Sequence, residues 1–155
     1  AAVGRVGENI QLKRVGSIQV DGLVGGYIHG GGKLGVLIGV ASATPDAVAG
    51  IVKDLAMHVA AADPTPLAVD QTGLDANVVE KERTILRNQA LESGKPENIV
   101  DNMVKGRLKK FFAENCLVEQ AFVKDPDKSV ADILATAGEA SVTEFLRFKL
   151  GEDAE

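Results

Sequence analysis

Tryptophan is absent from this 155-residue chain, aromatic residues make up only 4% of it, and there is a single cysteine. So few rings exclude a base-stacking platform and an aromatic cage for a cation. A lone Cys116 excludes an internal disulfide framework and a cysteine-rich zinc site, and it suits a reducing compartment. No apolar run approaches the roughly 18 residues that span a bilayer, and residues 1–14 lack an apolar signal core, so a soluble intracellular protein is the expectation. Basic residues are outnumbered by acidic ones, 17 to 22, leaving a formal net charge of −5. That balance opposes attraction to phosphate backbones and anionic lipid, and neither nucleic acid nor membrane is expected as a partner.

What is present is ordinary globular material: 45% hydrophobic and 25% charged residues, enough for a packed core. Alternation of Ile10 and Leu12, then of Ile18 and Val20, with polar residues predicts half-buried strands, bent near Gly16. Two β-favouring runs over 23–29 and 33–40 flank Gly30, Gly31 and Gly32, where glycine permits the positive φ of a tight reversal, so a hairpin is predicted. Thr44, Pro45 and Asp46 supply a cap, a first-turn proline and an acid for one helix that ends at Asp63-Pro64. Val48, Ile51, Val52, Leu55 and Val59 form its apolar stripe.

Charge then rises. Residues 77–91 and 96–115 each place apolar residues at helical spacing, and Ser93-Gly94-Lys95-Pro96 between them forces the two helices antiparallel. Narrow stripes such as Val100, Val104, Leu108 and Phe111 predict a hairpin that packs mainly on itself. Ser129 with Asp132 caps a short helix, and 142–150 read as a closing strand with Val142, Leu146, Phe148 and Leu150 alternating with Phe145, Arg147 and Lys149. The predicted class is α+β: an antiparallel sheet packed with helices, carrying an inserted helical hairpin, or coiled coil. Its parts are 1–76 and 116–155 for the core and 77–115 for the hairpin.

A search for chemistry returns little. Gly30-Gly31-Gly32-Lys33 resembles a phosphate loop, but the glycine required five positions before Gly32 is Tyr27, and Leu34 stands where a magnesium-binding hydroxyl is needed. His29, His58 and Cys116 do not fall at metal-ligand spacing. Cys116 and His58 read as buried structural residues. His29 abuts a glycine turn, where it serves turn polarity or meets a partner. Lys105, Arg107, Lys109 and Lys110 form the one basic cluster, on a helix bearing Phe111 and Phe112 at core-like positions. No catalytic residue, cofactor or metal is expected, and the protein is read as a non-enzyme that works through a surface.

Eight segments in register then point to a family: Val6-Gly-Glu-Asn-Ile10, Tyr27-Ile-His-Gly30, Leu34-Gly-Val-Leu37, Asp54-Leu-Ala-Met-His-Val-Ala60, Val79-Glu-Lys-Glu82, Ser93-Gly-Lys-Pro96, Gly106-Arg-Leu-Lys-Lys-Phe111 and Phe122-Val-Lys-Asp125. From about Val6 to Glu152 the chain resembles translation elongation factor Ts of the bacterial and organellar type. The resemblance implies guanine-nucleotide exchange on elongation factor Tu, in the cytoplasm or an organelle's matrix or stroma. Coupling between partner binding and nucleotide binding is reciprocal, so each weakens the other. It also implies partner contacts at Val6, at His29 and at Phe122 and Val123, although Ala121 replaces the family's usual proline. For Val6 and Phe122, core packing stays open as the alternative. The family's leading helical domain and its Thr-Asp-Phe-Val motif are not in this sequence, and Thr143-Glu144-Phe145 matches a different segment. The chain therefore reads as a C-terminal portion, either a fragment or a short form. A self-association module forming a homodimer is the alternative function.

Overall fold

The computed structural model describes Gly4, Arg5, Gly7 and residues 9–152. The main sheet is antiparallel in the order β1-β2-β5, with β1 at Gly22–His29, β2 at Leu34–Ser42 and β5 at Ala140–Lys149. The glycine turn between β1 and β2 is a short 3-10 segment, Gly30–Gly32, in which all three residues have positive φ. A side chain there would be strained, which is why the tip carries none.

One face of the sheet is the core. Val36, Ile38 and Val40 of β2 lie across from Tyr27, Gly25 and Leu23 of β1, and from Arg147, Phe145 and Val142 of β5. Against that face pack α1 (Pro45–Ala49) and α2 (Val52–Ala61). A single helix is predicted for this stretch; the structure divides it at Gly50 and Ile51. Thr44 caps with its backbone carbonyl, which accepts from Ala47, and makes no side-chain cap. Gly25 sets how closely α2 approaches: a Cβ there would lie 2.5 Å from Val52 Cγ2 and 2.8 Å from the Val52 carbonyl oxygen.

The strands expected around Ile10–Leu12 and Ile18–Val20 are not formed. Residues 9–21 have no regular secondary structure, and Leu12 and Val15 are exposed. The later part crosses the other face of the sheet. A Cβ on Gly39 would meet Ile18 and Val20, one on Gly16 would meet Leu146, and the Arg14 guanidinium sits 4.6 Å from the Phe148 ring centre. Period-2 alternation reports one buried side, and a segment lying across a sheet satisfies it as well as a strand within one.

The closing strand also differs from expectation. Gly39 pairs with Glu144 but Val40 with Val142, so Thr143 is a bulged extra residue that switches the phase of β5. Val142 and Phe145 therefore share the core face, while Leu146 and Phe148 join Leu37 on the other. Simple alternation cannot foresee a bulge, because it assumes two residues per repeat throughout.

Between the two parts of the core come α3 (Ala76–Glu92) and α4 (Glu97–Asn115), which pack on each other around a separate cluster of Leu86, Ala90, Val100, Val104 and Leu108. Asp75 caps α3 through the Asn77 amide, and Arg87 binds both Glu97 and Asp101 across the pair. Gly94 ends the hairpin turn at φ +69°. After α4, a short ribbon of β3 (Ala121–Phe122) and β4 (Asp125–Ser129) leads to α5 (Val130–Ala135), where Ser129 and Asp132 form the predicted capping box. Leu117, Phe122, Val130 and Leu134 complete the main core. Among the described residues no helix is long and apolar enough to cross a membrane.

Candidate functional site

His29 is exposed at the end of β1, beside the glycine turn. The pleat sends Tyr27 and His29 to the same side of the strand, two residues apart. Their rings stack at 6.0 Å, with the Tyr27 hydroxyl 3.2 Å from His29 Nδ1, so Nε2 is the nitrogen without this contact. The strand end thus presents an imidazole oriented by Tyr27, beside a tip whose three glycines carry no side chains.

The other sequence-predicted contacts separate. Phe122 is 4% exposed and belongs to the core, whereas its neighbour Val123 is 37% exposed at the ribbon's turn. Phe122 is the last residue of β3 and lies inward, whereas Val123 opens the turn that follows. Val6 lies outside the described residues.

Beneath that turn is a buried polar network. His58 and Gln120 are the two buried polar side chains among the described residues. The Val123 amide donates to His58 Nδ1 at 3.2 Å, which leaves the proton on Nε2, and this N–H donates to Gln120 Oε1 at 2.9 Å. The Gln120 amide group then donates to the carbonyls of Pro64 at 2.9 Å and Glu114 at 2.7 Å. The Phe122 ring stacks on the imidazole at 5.7 Å. Sequence reading placed His58 as a satisfied structural histidine, and both of its nitrogens are indeed bonded; nothing in the local sequence announces its partners, which lie 62 and 65 residues away.

Burial holds the His58 imidazole below its ordinary value, only partly offset by the Gln120 hydrogen bond. The sign of its linkage follows. Above the unfolded value of 6.5 both states are neutral; as pH falls through it, the unfolded chain takes up a proton that the native imidazole refuses. Stability is therefore expected to drop as pH falls through about 6.5, and His58→Asn to flatten that slope. Urea denaturation of the two proteins on either side of that pH checks it; parallel slopes would contradict it. The lowered carboxyls of Asp70 and Asp132, held by Thr72 and Ser129 respectively, lose their contribution only as pH falls through the ordinary value of 3.8 and below.

Among the described residues no nucleophile or metal set assembles. Cys116 is buried and its thiol is pushed up to about 11 by burial and by the negative charges of Glu119 and Asp70, the opposite of a nucleophile's environment. No group of three His, Cys, Asp or Glu residues that could hold a metal occurs among the described residues. Of the basic cluster, Lys110 pairs with Glu114 and Arg107 donates to Gln89, so part of it is engaged along and across the hairpin.

One surface feature was not foreseen. The sheet face opposite the core carries exposed Val24, Ile28 and Leu37; Ile28 and Leu37, with Leu146, Phe148 and the 9–16 segment, wall a groove of about 890 Å³. Misreading residues 9–20 as strands, and β5 as unbulged, concealed it.

The sequence model of the family described as elongation factor Ts matches residues 1–152. Elongation factor Ts of Geotalea daltonii is 48% identical over 154 residues, covering 92% of this chain and 70% of that protein. The corresponding proteins of Coxiella burnetii and Clostridium botulinum are 47% and 42% identical, over 100% and 99% of this chain. It spans only 50% and 52% of their lengths.

Proposed function

This chain belongs to the elongation factor Ts family, and from that premise we propose that it docks on elongation factor Tu and supports replacement of GDP by GTP there. The single observation that carries the reading is the match over residues 1–152. An exposed, oriented His29 on a glycine tip, and Val123 on a braced turn, are consistent with it. Val6 is proposed as a further contact from the resemblance alone, and Phe122 as a residue that acts through Val123. The mechanism is allosteric and needs no bond making, so the chain is read as a non-enzyme acting without a cofactor. The proposed place of action is that of translation: the cytoplasm or an organelle's matrix or stroma.

In this reading the chain grips the partner while a segment bearing the Thr-Asp-Phe-Val motif displaces the nucleotide. Since that motif is not in this sequence, the chain by itself is expected to bind elongation factor Tu yet to speed GDP release by less than about 5-fold, the low end of typical couplings. Stopped-flow release of labelled GDP checks this, and acceleration equal to that of a full-length elongation factor Ts would overturn the division of labour.

Self-association is the second reading, favoured by the exposed Val24, Ile28 and Leu37 on one sheet face. Sedimentation with and without elongation factor Tu separates the two. A one-to-one complex formed from monomers supports docking, and a stable dimer indifferent to the partner overturns it.

A further inference from the structure

Val123 and Lys124 form the turn between β3 and β4, a ribbon with only two cross-strand pairs, Ala121 with Ser129 and Phe122 with Asp125, and a register shift between them. Such a ribbon is too short and irregular to set its own turn geometry. The turn is set from beneath. Asp54 and His58, four residues apart and so on one side of α2, each take hold of it: Asp54 binds the Lys124 ammonium at 2.8 Å, and His58 accepts the Val123 amide at 3.2 Å.

We infer that His58 is a positioning residue for the docking turn, holding the Val123 backbone in place and tying it through Gln120 to the base of the helical hairpin. The inference rests on the docking role proposed for this chain. Every donor and acceptor in the relay has one assignment. A backbone N–H can only donate, so Nδ1 accepts; Nε2–H must then donate to Gln120 Oε1, which turns the Gln120 NH2 toward the Pro64 and Glu114 carbonyls. Reversing any one link would set two donors or two acceptors face to face. Glu114 lies in the last turn of α4, so a single chain of hydrogen bonds joins the hairpin, the loop after α2 and the turn. An apolar side chain would fill the same space without the cost of burying an imidazole, but it would leave the Val123 amide unpaired beneath an exposed residue.

The test separates the two nitrogens. In His58→Asn the side-chain oxygen stands close to the place of Nδ1 and can still accept from Val123. In His58→Gln the amide reaches toward Gln120 and leaves Val123 without an acceptor. Affinity for GDP-bound elongation factor Tu, measured by calorimetry with the full chain, is expected to fall about tenfold for His58→Gln and to change less than about threefold for His58→Asn. Val48→Ala, a core truncation on α1, serves as a control that lowers stability without touching the turn. Wild type needs no substitution for one further reading: long-range nitrogen–proton NMR is expected to find the Nε2–H tautomer at neutral pH, with slow exchange of the Val123 amide.

Equal affinity of wild type and both variants overturns the positioning role while leaving docking intact. Equal weakening by all three substitutions overturns it in favour of general destabilisation, and so does an imidazolium or an Nδ1–H tautomer in the wild type. A wild-type chain that does not bind elongation factor Tu overturns the docking reading itself, and with it the role assigned to His58.

Discussion

Gly25→Val is expected to cost about 3 kcal/mol or more, enough to leave a domain of this size marginally folded. A Cβ at this position would stand 2.8 Å from the Val52 carbonyl oxygen as well as 2.5 Å from a Val52 methyl. The methyl could rotate away, but the carbonyl belongs to the first turn of α2, so relief requires the whole helix to lift. Leu55, Ala56, His58 and Val59 are all fully buried along that helix and would lose contacts together. The same shift would draw Nδ1 of His58 from the Val123 amide, so the turn at Val123 and Lys124 should loosen along with the core. Equilibrium unfolding in urea measures the loss, and amide exchange at Val123 reports the coupled loosening. A loss under about 1 kcal/mol would mean that α2 sits on the sheet less rigidly than these distances require.

Ile38→Ala is expected to cost about 3–4 kcal/mol, and Leu37→Ala, one residue away, less than about 1.5 kcal/mol. Ile38 is fully buried at the centre of the middle strand, with Gly25 on one side and Phe145 on the other. Its truncation leaves a void that a close-packed sheet and helix layer cannot collapse into. Leu37 points to the opposite face and remains 38% exposed, so much of its surface is already in water. The pair is a direct measure of which face is the core. Equal losses would show that the groove side of the sheet is covered as fully as the helix side, as self-association would make it; thermal and urea unfolding at two protein concentrations would reveal that.

Local rules carried the elements whose determinants lie close together in the chain. The β1-β2 hairpin followed from three consecutive glycines between β-favouring runs, and α3 and α4 from their spacing around Ser93-Gly94-Lys95-Pro96. The capping box of α5 followed from Ser129 and Asp132. Each of these depends on residues a few positions apart, so no distant contact was needed to recognise it. Residues 9–20 and β5 failed for a shared reason. Alternation reported one-sided burial at Ile18 and Val20 but not at Ile10 and Leu12, which are exposed; whether Ile18 and Val20 lie within a sheet or across one is settled by Gly39, and the phase of β5 by the bulge at Thr143. Both are decided by partners distant in sequence.

By itself the sequence determined the α+β class, the helical hairpin and the family, because these rest on composition, local periodicity and strings of adjacent residues. Tertiary structure alone decided that Phe122 turns into the core while Val123 faces out, that His58 and Gln120 form a buried relay beneath them, and that an apolar groove lies behind the sheet. The physical reason is that hydrogen bonds and burial are properties of residues brought together in space, and a relay joining positions 58, 64, 114, 120 and 123 leaves no periodic trace along the chain.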